Sequence, residues 1–245
     1  MFRVFITLFL AFLLSSCATT MVRRSPDYEK KLTECKEVLV LPPEVKVHTL
    51  DISNKRERMY NYEDHLEEMM KNKIVAALRD KRLKVKFLNK RDIYNQKLSD
   101  KVAALRNAYN DSHKELYSTL AMKEEEAYAI EKKLGKPAIE LGKATKSSII
   151  LLTDYSKTVK TNGARTRDFM ISMLLGSHST DADESLMIVG IIDARNGSIL
   201  WTNRSYRFRD VFSSSVDNLS AQSEMENKEL DTLTSNVFNP LLMPK

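Results

Sequence analysis

Glycine is scarce in this chain, with six among 245 residues. Neither common phosphate-cradling pattern occurs, so a glycine-rich loop offering backbone amides to a nucleotide is excluded. Cysteine is scarcer: Cys17 and Cys35 are the pair, and if Cys17 is used elsewhere, Cys35 has no intramolecular partner and disulfide stabilisation is excluded. The four histidines, His48, His65, His113 and His178, have no paired metal-ligand spacing. They read as solvated side chains, and neither a metal nor a cofactor is expected. Ser213-Ser214-Ser215 lacks the strand-to-helix elbow of a nucleophile, and Glu124-Glu125-Glu126 reads as a solvated helix face. An enzyme would need a triad dispersed along the chain, and none is expected. Long apolar runs are also missing. The stretch Val4 to Leu14, broken by Thr7, is too short to span a bilayer.

That stretch, preceded by Arg3, has the length of a signal-peptide core. It leads into Leu14-Ser15-Ser16-Cys17, which resembles the lipobox of bacterial lipoproteins, where the cysteine is acylated and becomes the first residue of the mature protein. The resemblance implies palmitate-type lipidation of Cys17. It also implies that an Asp after the cysteine would favour inner-membrane retention; Ala18 stands there, so the outer membrane is expected, with the domain facing the periplasm. Each buried methylene contributes about 0.8 kcal/mol, so several acyl chains anchor a protein without a transmembrane helix. Export removes nucleic acid as a partner for the net charge of +6. The expected organisation is a signal peptide over 1–16, a lipidated flexible linker over 17–36, and a periplasmic domain over 37–245. Roughly 230 residues remain after cleavage, enough to bury about 70% of the unfolded surface.

Val38-Leu39-Val40-Leu41, closed by Pro42-Pro43, reads as a strand buried on both faces. Glu44 to Asn61 is polar and reads as a loop. From Tyr62 to Lys81, Leu66, Met69, Met70, Ile74, Ala77 and Leu78 fall at helical spacing, with Asn61 as a cap. Leu83, Val85 and Phe87 alternate with Lys84 and Lys86, as in an edge strand that lysines protect from foreign pairing. Val102, Leu105, Tyr109, Leu116, Leu120, Ala127 and Ile130 form a stripe from Ser99 to Lys133. As one helix it would reach roughly 50 Å, so it should project or break near Asn110-Asp111. Gly135 ends it, and Pro137 opens a helix carrying Ile139, Leu141 and Ala144 inward. Ser147 to Lys160 is a second central strand. Leu186–Ile192 and Ser198–Phe208 form a hairpin in which Asn196 and Gly197 supply positive φ. Val216, Leu219, Leu230, Leu233 and Val237 mark a closing helix with a polar interruption. The fold class is therefore α/β: a mixed sheet of about five strands with flanking helices and a long helical insertion.

Three pieces in order, Val38 to Pro43, Glu140 to Leu152, and Asp193-Ala194-Arg195-Asn196-Gly197-Ser198-Ile199-Leu200-Trp201, resemble the periplasmic α/β lipoproteins that share the fold of the TolB amino-terminal domain. That group includes penicillin-binding-protein activators and the curli-secretion and exopolysaccharide-export lipoproteins. The resemblance implies a non-enzymatic adaptor or regulatory subunit for an envelope assembly or secretion complex. A subunit of an oligomeric outer-membrane export apparatus, and hence a homo-oligomer, is the alternative. One stretch matches neither core nor loop: Phe169-Met170-Ile171-Ser172-Met173-Leu174-Leu175, within an insert from Thr161 to Glu184. Seven unbroken apolar-rich positions do not make a membrane-spanning β-hairpin, which needs about 9–11 alternating residues per strand. Phe169, Met170, Ile171, Met173, Leu174 and Leu175 are candidate contacts for a partner or the membrane, or else fold back onto their own sheet.

Overall fold

A computed structural model describes residues 19–35, 37–119, 122–161, 163–164, 166–168, 170, 183–209 and 219–241. Its centre is β8 (Ile149–Lys160), in which Ile149, Ile150, Leu151 and Leu152 are all fully buried. Each such side chain contributes about 1.5–3 kcal/mol. Both edges of β8 are occupied. One pairs antiparallel with β9 (Asp183–Asp193), the other in parallel with β3 (Val38–Val40) and then β4 (Glu44–Leu50). Leu41-Pro42-Pro43 separates β3 from β4, so the two lie end to end along the same neighbour. β10 (Ser198–Arg209) extends the sheet beyond β9, and β2 (Arg23–Arg24) beyond that. β6 (Val85–Phe87) is the opposite edge, as its lysines require, and β5 (Arg56–Arg58) hangs on β4. A separate two-stranded pair joins β1 (Thr19–Thr20) to β7 (Met122–Lys123).

Helices cover both faces. Leu66, Met70, Ile74 and Leu78 of α2 (Tyr60–Asp80) pack with Leu230, Leu233 and Val237 of α7 (Leu219–Phe238) on the face formed by Val38, Val40, Ile149 and Leu151. The opposite face, Leu39, Leu41, Ile150 and Leu152, receives Val102, Leu105 and Tyr109 of α4 (Ser99–Leu116) with Ala138 and Leu141 of α6 (Lys136–Thr145). Short helices α1 (Tyr28–Thr33), α3 (Lys90–Asn95) and α5 (Glu124–Ala127) lie between these elements.

The mixed α/β class holds, and among the described residues the sheet has eight strands where about five are expected. The five expected are β3, β6, β8, β9 and β10. Glu44 to Asn61 is not a loop: Val45 and Val47 alternate with Glu44 and Lys46, and β8 outruns β3, leaving an edge that β4 fills. Within the stretch expected to be a linker, residues 22–32 pack on the domain. Tyr28 and Leu32 are buried in the core, Arg23 and Arg24 pair with Thr202 and Trp201, and Ser25 N–H donates to Leu200 O at 2.8 Å. α2 begins two residues early, after Met59, and Asn61 is not its cap. The long helix from 99 to 133 is also corrected. α4 passes through Asn110-Asp111 and stops at Leu116, after which the chain returns to pair Met122 and Lys123 with β1.

In α6 the inward positions are Ala138, Leu141, Gly142 and Thr145, while Ala144 is exposed. Only Gly197 in the β9–β10 turn takes positive φ, at 76°; the Asn196 side chain instead accepts from Ser198 N–H at 3.0 Å. A bulge between Ile199 and Trp201 puts the two on opposite faces: Ile199 meets α6, and Trp201 lies beside Phe238 with ring centroids 6.5 Å apart. α7 is uninterrupted over Leu219–Phe238, and Val216 lies outside the described residues. Its polar middle is itself partnered. Glu229 pairs with Lys157 at 3.0 Å, accepts from Tyr155 at 3.0 Å and from Ser185, while Glu226 accepts from Tyr62.

Gly190 lets α4 sit close to the sheet. A Cβ there would fall 2.4 Å from the Tyr109 ring, whose hydroxyl reaches past it to bond Thr202 Oγ1 at 2.6 Å. Gly190→Ala should therefore overpack the interface at a cost of about 1–3 kcal/mol, lowering the melting temperature by about 3–10 °C. An unchanged melting temperature would mean that Tyr109 does not cross the sheet at this point.

Candidate functional site

One end of the sheet gathers the features that the sequence singled out. β8 leaves the sheet body at Lys160, paired with Leu50 of β4, and β9 enters at Asp183, paired with Arg209 of β10. The insert therefore emerges at this end. It starts against the β4–β5 turn, which Asp51 holds by accepting from Ser53 N–H at 2.8 Å and Lys55 N–H at 2.9 Å, with Asn54 at φ 64°. Residues 163, 164, 166–168 and 170 are helical, and Ala164 is buried. Asp168 bonds Lys160 at 2.7 Å and Arg167 at 2.9 Å, while Arg167 Nη1 donates to Ile52 O at 2.6 Å. Burial alone would raise the Asp168 carboxyl, but Lys160 and Arg167 outweigh it and hold its pKa below the ordinary value.

This clamp presents two exposed apolar side chains, Ile52 at 59% and Met170 at 55%. Of the predicted contact residues, Met170 is outside the core. Phe169, Ile171, Met173, Leu174 and Leu175 lie outside the described residues, as does Cys17. The course of β2 bears on the anchor. Its residues pair Arg24 with Trp201 and Arg23 with Thr202, so the upstream chain heads toward Arg209, the same end from which the insert emerges. Thr19 lies four residues beyond Arg23, and Cys17 two beyond Thr19. Ile52 was missed because the alternation of Val45 and Val47 was overshadowed by the charges around it.

A cleft of about 270 Å³ lies past the carboxyl end of β3, between the starts of α2, α3 and α4, where open α/β sheets commonly bind ligands. Its charged side chains are engaged with one another. Arg58 pairs with Glu63 at 2.8 Å, Lys90 with Glu67 at 2.5 Å and Asp64 at 3.7 Å, and Arg106 with Asp154 at 2.6 Å and Glu44 at 3.6 Å. Arg106 also donates to Pro42 O. Burial pushes the Asp154 carboxyl up to about 6 against the pull of Arg106. No group of three or more His, Cys, Asp or Glu among the described residues is placed to hold a metal. Cys35 is free, half-buried, and donates to Glu37 O.

His65 is exposed and His48 half-buried, whereas His113, expected to be solvated, is buried between Tyr109 and Tyr117; His178 lies outside the described residues. No helix among the described residues is long and apolar enough to cross a membrane.

Arg106→Met should leave Asp154 as a buried carboxylate without its cation. The folded-state pKa would rise further above the unfolded value of about 3.9, and stability held by the protonated form would be lost as pH rises through it. The variant should thus be more destabilised at pH 8 than at pH 5 relative to wild type, by about 3 kcal/mol at the upper pH. Equal losses at both pH values, measured by urea denaturation, would contradict this coupling.

No family model matches this chain, and no curated protein does. Solved structures similar to it include the PelC dodecamer from Paraburkholderia phytofirmans, at 12% identity and TM-score 0.42 over 93% of this chain and 100% of that one. Lipoprotein GNA1162 from Neisseria meningitidis is similar at 12% identity and TM-score 0.32 over 81% and 99%. The LpoB C-terminal domain from Salmonella enterica is similar at 10% identity and TM-score 0.28 over 75% and 95%. These similarities carry over no residue of a site.

Proposed function

We propose that the protein is a non-enzymatic adaptor or regulatory subunit of an envelope assembly or secretion complex. Acylated Cys17 tethers it to the outer membrane, and its α/β domain lies in the periplasm. The observation that carries this reading is the direction of β2, which sends the chain upstream of Arg23 toward the sheet end that bears the insert. An anchor at Cys17 and the apolar insert would then share one end, and the partner would be met at the membrane surface. Phe169, Met170, Ile171, Met173, Leu174 and Leu175 form the contact, with Met170 and Ile52 already exposed there. Methionines suit a surface that adapts to its partner. Buried against a partner, large apolar side chains contribute about 1.5–3 kcal/mol each before ordering costs. The mutual pairing of the charged groups in the β3 cleft supports a non-enzymatic role, since those groups are engaged in tying α2 to β5, α3 to α2 and α4 to β8.

Cys17→Ala should give an uncleaved or soluble species in fractionated cells. Normal membrane fractionation with unchanged mass would overturn the tether. In the acylated protein, Asp at both Ile171 and Leu174 should abolish recovery of the crosslinked envelope partner at an unchanged melting temperature. A large fall in melting temperature would place the run in the core instead.

A further inference from the structure

Beside the far edge of the sheet, two arginines are buried around one tyrosine. Arg23 is 0% exposed and Arg204 8%. Their guanidinium carbons lie 4.9 and 4.3 Å from the centroid of the Tyr117 ring. Arg23 donates to three carbonyls, Val22 O at 3.2 Å, Thr119 O at 3.3 Å and Leu116 O at 3.4 Å. Arg204 lies over the half-buried Tyr206 at 5.2 Å, but its Nε and Nη2 are buried with no hydrogen-bond partner. The ring of His113, 4.4 Å from that of Tyr117, also carries a buried Nε2 with no partner. Burial, with Arg204 adding to it, lowers the His113 pKa to about 4, so the imidazole is neutral at pH 7.

Cation–π contacts return about 0.5–2 kcal/mol each. An isolated buried charge costs several kcal/mol, and each buried donor left unmade about 1–3 kcal/mol more. The tyrosine rings alone therefore do not offset a guanidinium in this position. The identity of the two unpartnered nitrogens is informative. Nε and Nη2 lie along one edge of the planar guanidinium and present parallel N–H bonds, the fork that matches two oxygens of a carboxylate or phosphate.

We propose that Arg204, with Arg23 beside it, forms a binding site for a small oxyanion, taken as two oxygens on the Nε–Nη2 edge of Arg204, with Tyr206 as the side chain that gives way for entry. The site is separate from the insert end and does not depend on the adaptor role. An oxyanion there neutralises the guanidinium and satisfies both donors. It also fastens the end of α4 and the N-terminal segment to β10, because Tyr117 donates to Met21 O at 2.8 Å and Arg23 bonds the chain after α4.

The test is thermal unfolding of the full mature protein in detergent, with inorganic phosphate or acetate raised from zero to 20 mM and ionic strength held constant with chloride. Wild type should gain about 5 °C or more once the anion is well above its dissociation constant. A gain with acetate as well as phosphate assigns a carboxylate-compatible site, and a gain with phosphate alone a phosphate site; both uphold the proposal. Arg204→Met should lose the gain while being no less stable than wild type in chloride, since it removes an uncompensated charge. Should that variant fail to fold, Arg204→Lys keeps the charge without the fork and should reduce the gain at least threefold in anion affinity. A wild type indifferent to both anions, or a gain equally large in the Arg204 variants, would overturn the proposal.

Discussion

Everything in this fold depends on β8 being buried on both faces and paired along both edges. Ile149 to Leu152 leave no polar face to turn toward water, so helices must cover both sides of the sheet. Its length then sets the rest. β3 occupies three positions of one edge, and the remaining amides and carbonyls require β4. On the other edge, β9 follows it over almost its whole length and carries β10, on which the N-terminal segment docks.

Polar chemistry is distributed to serve that scaffold. Glu229 joins Lys157, Tyr155 and Ser185 at the α7 interface, a network whose members satisfy one another. Asp193 fastens the β9–β10 turn to α1: burial would raise its carboxyl, yet Arg195 at 2.9 Å and Lys31 at 3.3 Å prevail and lower its pKa. Arg204 departs from this pattern. Its buried fork of donors faces no acceptor among the described residues, which sets it apart from Arg106 and Arg58, whose carboxylates are close by.

What could be read from the sequence follows from the physics of each signal. Continuous apolar runs marked β3 and β8, and helical spacing marked α2, because burial on a whole face leaves a pattern that charges do not interrupt. β4 was illegible because two valines carry its buried face while Glu44, Lys46 and His48 occupy the other. The N-terminal segment contributes only Val22, Tyr28 and Leu32 to the core among Thr, Arg, Ser, Pro and Lys, so composition resembles a linker although three side chains hold it. The bulge at Leu200 breaks the alternation that would have put Trp201 on the same face as Ile199. At the insert end, the apolar run was legible and the clamp of Asp168 with Lys160 and Arg167 was not, because ion pairs between an element and its neighbour leave no periodicity.

Docking of residues 22–34 bears on the lipid tether proposed at Cys17. A flexible linker would let the domain wander from the lipid surface, whereas five residues between Cys17 and Arg23 span at most about 20 Å. Under that proposed tether the domain would work at a fixed end and a short distance from the membrane. Native-state hydrogen exchange on the mature protein tests this most directly. The account predicts that the amides of Ser25 and Leu32 exchange as slowly as those of β10, since Ser25 bonds Leu200 O and Leu32 lies in a helix packed on the core. Exchange at the rate of an unstructured chain through residues 22–34, with β10 still protected, would contradict it.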